Sequence, residues 1–161
     1  MAALTDFSNT TDKLSALQAA ALTRNVELSI HRIARGEEVA VAIETAAASG
    51  VGALNVLSSP LLYANRKLIV QRSAALRLPA IYEWPEAAED GGLVAFGPRL
   101  SELFLQVMPR QLVQLLRGTK ISGIPVEQAL KIELVINLNA AEALGMTVPP
   151  TLLAEATKVI D

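Results

Sequence analysis

The sequence predicts an α/β fold: a doubly wound parallel sheet of five strands, followed by a strand-and-helix tail. Short apolar runs alternate with amphipathic segments of helical period, which is typical of a parallel sheet with helices on both faces. Apolar residues make up 52% of the 161 residues but aromatic residues only 4%. Aliphatic side chains therefore build the core, as buried parallel strands require. Because crossovers between parallel strands are right-handed, we expect the strand order 2-1-3-4-5.

The elements of this sheet can be placed in order along the chain. Four apolar runs and one segment that alternates apolar and polar residues, Val26–Ile33, are predicted as strands. The apolar runs are Ala2–Leu4, Ala53–Leu57, Pro79–Tyr82 and Leu93–Phe96. The segments after them are predicted as helices: Thr10 to about Leu22, Glu37–Ala48, Pro60 to about Leu76, Trp84–Ala88 and Arg99–Arg117. Hydroxyl groups stand where the first and third helices begin and can cap them. The apolar positions of the long last helix are expected to face inward.

The tail departs from this alternation. A further strand is predicted within Ile132–Asn137 and helices at Asn139–Leu144 and Thr151–Ile160. The sequence thus divides into a ligand-binding lobe, residues 1–119, and a C-terminal crossover tail, residues 120–161.

Composition and motifs exclude several classes of function. The net charge of −2 argues against nucleic acid as a partner. There is no cysteine and only one histidine, so thiolate and His-based metal sites are excluded. His31 is predicted to be an ordinary surface residue. No phosphate-loop, dinucleotide-binding or GxSxG pattern occurs. We therefore expect no catalytic residue, no metal and no cofactor.

The N-terminus carries no recognisable export signal. Met1–Asp6 has neither a basic region nor a long apolar region. As written, the chain is expected to stay in the cytoplasm.

Candidate site residues lie on the loops that follow the strands, because ligands of open parallel sheets bind at the carboxyl ends of the strands. Helix N-termini at this edge also present free N–H groups. The candidates are Asp6, Phe7, Ser8 and Asn9 after the first strand, Ser58 and Ser59 after the third, Tyr82, Glu83 and Trp84 after the fourth, and Phe96 and Gly97 after the fifth.

Four of the six aromatic residues belong to this set: Phe7, Tyr82, Trp84 and Phe96. Together they either form a stacking surface for a flat or apolar ligand or close the top of the core.

Four carboxylates cluster around the turn after the fourth strand: Glu83, Glu86, Glu89 and Asp90. They form either a solvated loop or a polar rim that meets an ammonium group.

Several segments carry a family resemblance: Leu78–Tyr82, Gly91–Pro98, and the tail from Pro125–Glu127 through Ile136-Asn137 and Ala143–Gly145 to Val148–Pro150. They resemble the C-terminal part of ABC-transporter substrate-binding proteins, in the branch that binds aromatic amino acids or related small molecules. The resemblance extends from Ala2 to Ile160.

The resemblance implies one lobe of a type I periplasmic-binding-protein fold, with a small molecule held between two lobes and no catalysis. It also implies a permease as partner of the full-length protein, and a periplasmic or lipid-anchored extracytoplasmic location. The aromatic candidates would wall the ligand, and Ser8, Asn9, Ser58 and Ser59 would hydrogen-bond to it. Relatives often carry Asp in the loop at Ser58–Pro60. Its absence here argues against an amino-acid ligand.

The alternative is a stand-alone homodimeric interaction or regulatory module, in which a second copy replaces the other lobe. Five apolar tail residues are expected to form an exposed patch that contacts this copy: Leu134, Ile136, Leu138, Leu144 and Val148. A tail that folds back onto its own sheet edge is the other possibility. A receiver-like enzyme is disfavoured, since no acceptor Asp follows the third strand.

Overall fold

The computed structural model describes residues 1–127 and 131–161, and within these residues seven strands form one sheet in the order β2-β1-β3-β4-β5-β6-β7. The strands are β1 (Ala2–Asp6), β2 (Ser29–Ile33), β3 (Leu54–Val56), β4 (Ala80–Tyr82), β5 (Val94–Pro98), β6 (Ile132–Asn137) and β7 (Lys158–Ile160). The helices are α1 (Thr11–Thr23), α2 (Val39–Ala48), α3 (Pro60–Ala64), α4 (Arg66–Ala75), α5 (Pro85–Glu89), α6 (Leu100–Glu102), α7 (Met108–Leu116), α8 (Leu138–Leu144) and α9 (Pro150–Glu155).

The first five strands confirm the predicted fold class. They are parallel and follow the expected order 2-1-3-4-5. The predicted helix starts are also confirmed at two caps. Thr10 Oγ1 accepts from Lys13 N at 3.3 Å, and Ser59 Oγ accepts from Leu62 N at 3.0 Å, with Pro60 in the first turn of α3.

The strand count of five is corrected to seven, because the tail adds β6 and β7. Strand β6 runs antiparallel to β5, with Pro98 opposite Ile132 and Val94 opposite Ile136. Strand β7 lies where a helix through Ile160 was predicted, and it pairs in parallel with β6.

Helix α9 ends at Glu155 because the residues that follow it pair with β6. Thr157 donates its N–H to the Leu134 carbonyl at 2.8 Å, and its Oγ1 accepts from Leu134 N at 3.0 Å. These bonds place the residues after Thr157 beside β6, where they form β7.

The prediction of an exposed apolar patch on the tail is wrong. Ile136 is 1% exposed, and Leu134, Leu138, Leu144 and Val148 are half-buried. The tail folds back onto its own sheet edge, where β5 satisfies the backbone groups of β6. The division into residues 1–119 and 120–161 stays a prediction.

The main core lies between the central strands and helices α2 to α5. Its fully buried side chains are aliphatic, as predicted: Leu4, Ile33, Val39, Ile43, Leu54, Val56, Leu62 and Ile69. Each such side chain stabilises the fold by about 1.5–3 kcal/mol relative to its exposed state. This burial fixes the central strands, and with them the loops at their carboxyl ends.

The predicted long helix after β5 is divided into α6, a π-helical turn over Leu103–Val107, and α7. Pro109 lies in the first turn of α7, and its missing N–H accounts for the break. We call residues 100–127 the arm. The segment after α7 folds against it, since Arg110 pairs with Glu127 and Gln111 Nε2 donates to the Pro125 carbonyl at 3.4 Å.

Leu100 packs against the core as predicted, but the prediction of an inward-facing helix is wrong for three other apolar residues. Phe104, Leu112 and Leu115 are 53%, 56% and 41% exposed. Apart from the π-helical turn that it continues, α7 makes no extensive contact with another helix or strand of the described residues. The helical period correctly predicted one apolar face, but this face meets solvent.

Candidate functional site

The predicted ligand-binding loops meet at one edge of the sheet, because β1, β3, β4 and β5 are parallel and in register. The loops after β1 and β3 are joined directly, since Asn9 Nδ2 donates to the Ser58 carbonyl at 3.0 Å. Lys13, at the start of α1, reaches Glu83 after β4, with 3.2 Å between Nζ and Oε2. We call this the carboxyl edge.

Gly97, within β5, lies against the backbone of the loop after β4. A Cβ atom built on Gly97 would lie 2.0 Å from the Glu83 carbonyl oxygen, far inside van der Waals contact. Only glycine fits here, so Gly97 has a packing role at the edge.

Asp6 ends the central strand β1, and its residue is 7% exposed. Ser8 donates to Asp6 Oδ1 twice, from its backbone N–H at 2.9 Å and from its hydroxyl at 2.5 Å. Burial acts to raise the pKa of the Asp6 carboxyl, but hydrogen bonds from the Ser8 and Ser59 hydroxyls outweigh it and lower the pKa. Asp6 is therefore ionised at neutral pH.

The aromatic candidates separate into two groups. Phe7 and Phe96 are 68% and 57% exposed, whereas Tyr82 and Trp84 are 2% and 5% exposed and belong to the core. Trp84 meets Tyr63 edge-to-face with 5.2 Å between ring centroids. The interpretation of Tyr82 and Trp84 as ligand walls is therefore corrected, and the alternative that aromatic residues close the core fits these two.

Tyr82 lies on the same face of β4 as Ala80, and both line one cavity. The cavity has a volume of about 280 Å³ and lies beside the start of β5, and Ser73, Gly92, Asn137 and Ala140 also line it. Burial raises the pKa of the Tyr82 hydroxyl to about 12. Tyr82 is thus neutral and faces a largely apolar space.

Each of the four carboxylates clustered after β4 has a partner elsewhere in the chain. They therefore form neither a solvated loop nor an open rim. Glu83 pairs with Lys13, and Asp90 lies 2.8 Å from Arg66 Nε. Glu86 accepts from Ser101 N at 3.1 Å, and Glu89 pairs with Arg99 and Lys158.

An ion cluster that sequence reasoning missed ties the tail to the lobe. Arg99, just after β5, donates to Glu133 on β6 at 2.7 Å and to Glu89 at 3.0 Å. The Glu133 side chain is 6% exposed. Hydrogen bonds from Arg99 hold the pKa of Glu133 below its ordinary value, and Glu89 is lowered in the same way. A glutamate inside the run Ile132–Asn137 is the one signal in the sequence that pointed to such a partner.

Other features of the described residues do not indicate a binding or catalytic site. His31 lies near the surface, with 3.1 Å between its Nε2 and Ser29 Oγ. Across residues 1–127 and 131–161, no cluster of three acidic, His or Cys side chains could hold a metal ion. In the same ranges, no helix has both the length and the apolar character needed to cross a membrane.

The chain folds as a parallel α/β sheet that an antiparallel strand, β6, extends at one edge. The sequence profile of the ABC transporter substrate binding protein family matches residues 4–160, so the chain belongs to that family. No curated protein matches the sequence.

Three solved structures share the fold. They are a conserved domain protein from Vibrio cholerae (TM-score 0.83, 20% identity), a Streptococcus pneumoniae ABC domain in complex with L-Trp (0.82, 24%), and a ligand-free, open substrate-binding protein with adhesive properties from Clostridium difficile (0.67, 19%). They cover 98%, 99% and 99% of this chain, respectively. The chain spans only 54%, 54% and 53% of their lengths. At these identities the likeness concerns the fold.

Proposed function

We propose that this chain is one lobe of the solute-binding component of an ABC-type importer. It holds a small molecule at the carboxyl edge, in a cleft completed by a second body, and makes or breaks no bond. Family membership supports solute binding. The structural neighbour with bound L-Trp makes an aromatic amine a reasonable first ligand to test.

The observation that supports a cleft between two bodies is the exposed apolar surface of the arm. The arm leaves the sheet after Pro98, at the carboxyl edge, and exposes nine large apolar side chains: Phe104, Leu105, Met108, Leu112, Val113, Leu115, Leu116, Ile121 and Val126. Soluble monomers seldom expose so much contiguous apolar surface. A body seated on the arm would also cover the edge, where Phe7 and Phe96 are exposed.

In the full-length setting, the second body would be another lobe and the partner a transporter permease. The location that goes with this function is periplasmic or lipid-anchored outside the cytoplasm. These elements follow from the family and are part of the proposal.

The second candidate function is a homodimeric interaction or regulatory module, which the same exposed arm favours. The backbone groups of the tail strands are hydrogen-bonded within the chain. The proposed contact with a second copy therefore lies on the arm and not on the tail residues predicted from the sequence. Symmetric dimers are the commonest closed assemblies, so a second copy can bury the apolar face when no other lobe is present.

Sedimentation velocity tests the arm as the docking face. We expect the chain to self-associate at tens of micromolar, and Leu116→Lys on the arm to shift it toward monomer. Leu22→Lys is the matched control, since Leu116 and Leu22 are 78% and 75% exposed and both lie in the last turn of a helix. A wild-type chain that runs as a monomer, or equal effects of the two variants, would contradict the proposal for the arm.

Calorimetry tests whether the cleft needs a second body. Good pockets bury about 70–90% of a ligand, which a single edge does not. We expect the monomeric Leu116→Lys variant to bind L-Trp no tighter than about millimolar, near −4 kcal/mol. Micromolar binding would show that one copy already forms a complete site.

A further inference from the structure

The cavity beside the start of β5 is a space separate from the carboxyl edge. It is lined from α4, β4, the turn before β5 and α8. Apart from Tyr82, the candidate residues of the carboxyl edge do not line it. Aliphatic side chains such as Val70, Leu78 and Leu144 form much of its wall, and none of the described residues that line it is charged.

Ser73 brings an unused polar group to this wall. The residue lies in the last turn of α4 and is 3% exposed. Its Oγ is buried and has no hydrogen-bond partner within residues 1–127 and 131–161. A buried hydroxyl without a partner destabilises a fold, so such groups are rare. Ser73 therefore offers a free donor and acceptor to a molecule in the cavity.

Tyr82 forms a fixed part of the wall next to Ser73. The Ser73 hydroxyl partly opposes the rise in the pKa of Tyr82, but the two groups do not reach hydrogen-bonding geometry. A Cβ atom built on Gly92 would lie only 2.6 Å from Cε2 of the Tyr82 ring. The ring is thus packed against the backbone of Gly92, and this contact holds it in place.

The amide of Asn137 is already used within the chain. Its Nδ2 donates to the Ala88 carbonyl at 3.1 Å, and its Oδ1 accepts from Ala140 N at 3.0 Å. These bonds fix the first turn of α8, where Ala140 lines the cavity. The polar contact left for a ligand is therefore Ser73, with Tyr82 beside it.

We propose that this cavity is a second small-molecule site, which takes a neutral, single-ring molecule with one hydroxyl group, such as a phenol. The volume of about 280 Å³ is sufficient, since an apolar cavity of about 150 Å³ already accommodates benzene. An ionised ligand is excluded because the wall holds no charge to compensate it. This inference goes beyond the proposed function, which concerns the carboxyl edge.

The test uses phenol and toluene, which have rings of the same size but differ in the hydroxyl group. The complete 161-residue chain is titrated with each, and ¹⁵N NMR chemical shifts are followed. We expect both to shift the amide resonances of Gly91, Gly92 and Ala140, which line the cavity. The resonances of Phe7 and Gly97 report separately on binding at the carboxyl edge.

Ser73→Ala isolates the hydroxyl contact. It should weaken phenol binding about fivefold, as one neutral hydrogen bond allows, and change toluene binding by less than about twofold. Because alanine favours the helix and removes an unpartnered hydroxyl, the melting temperature should be unchanged or higher. A loss of phenol binding would then not reflect impaired folding.

A second variant tests the cavity independently of Ser73. Ala140→Leu places a larger side chain in the cavity and should abolish binding of both molecules there. Ala19→Leu is the control, since it makes the same change at an exposed position of α1 and should leave both affinities unchanged.

Two results would overturn the inference. If neither molecule shifts Gly91, Gly92 or Ala140 in the wild type, the cavity is not a site for such ligands. If Ser73→Ala leaves phenol binding unchanged, or weakens both molecules equally, selection of a hydroxyl group by Ser73 is refuted. Neither result bears on solute binding at the carboxyl edge.

Discussion

Replacing Arg99 by Met should strongly destabilise the fold, because it leaves Glu133 charged and buried. Arg99 donates to both Glu133 oxygens, at 2.7 and 3.4 Å, and the Glu133 side chain is only 6% exposed. Removing one member of a buried pair costs about 3–5 kcal/mol. The second partner of Arg99, Glu89, is 30% exposed, so its loss adds at most about 1 kcal/mol.

Urea unfolding followed by far-UV circular dichroism measures this change. For a domain whose whole stability is about 5–15 kcal/mol, the expected loss of about 3–5 kcal/mol is easily resolved. Lys131→Met is the control. Lys131 also contacts Glu133, at 3.4 Å, but it is 61% exposed and its removal should cost less than about 1 kcal/mol.

A double variant separates charge burial from lost packing. Glu133→Leu in the Arg99→Met background removes the stranded charge and should recover much of the stability. A loss below about 1 kcal/mol in Arg99→Met alone would refute the reasoning, since Glu133 would then be satisfied by water or by another group.

Two further predictions concern the same region of the sheet. The pKa values of Glu133 and Glu89 are lowered from an ordinary 4.5, so their stabilisation is complete above that value and is lost as the pH falls through the lower folded-state values. Acid titration of unfolding free energy should therefore fall below about pH 4.5, and an equally steep fall in Arg99→Met would exclude this cluster as its cause. Gly97→Ala should lower thermal stability more than Gly52→Ala, because the new methyl group meets the Glu83 carbonyl at 2.0 Å whereas Gly52 has open space, and equal melting temperatures would contradict that packing.

The parallel part of the fold was predictable because each of its strands is an apolar run or, in β2, an alternating segment, and a helical period follows it. Strand β7 was not. Three residues, Lys158–Ile160, are too few to show alternation, and they follow a segment with helical spacing. Their strand state depends on pairing with β6, a long-range contact that no local pattern encodes.

The predicted loops meet at one edge of the sheet, but the burial of two of their aromatic side chains was not predicted. Tyr82 and Trp84 stand next to the carboxyl edge in sequence, yet both are buried in the core. The end of β4 at Tyr82 was predicted correctly, but a local pattern does not show whether a side chain at a strand end packs in the core or faces a ligand. The helical period of the arm likewise predicted an apolar face but could not show whether its partner lies in the same chain.

The pairing of Pro98 with Ile132 makes the arm a long excursion within a β-hairpin, with both of its ends fixed by adjacent strands. The free energy of closing such a loop grows only by about 0.6 kcal/mol for each doubling of its length. The sheet therefore tolerates changes in the length and sequence of this excursion at little cost to its own stability. The exposed apolar face of the arm can therefore change while the sheet and the loops at its carboxyl edge stay the same.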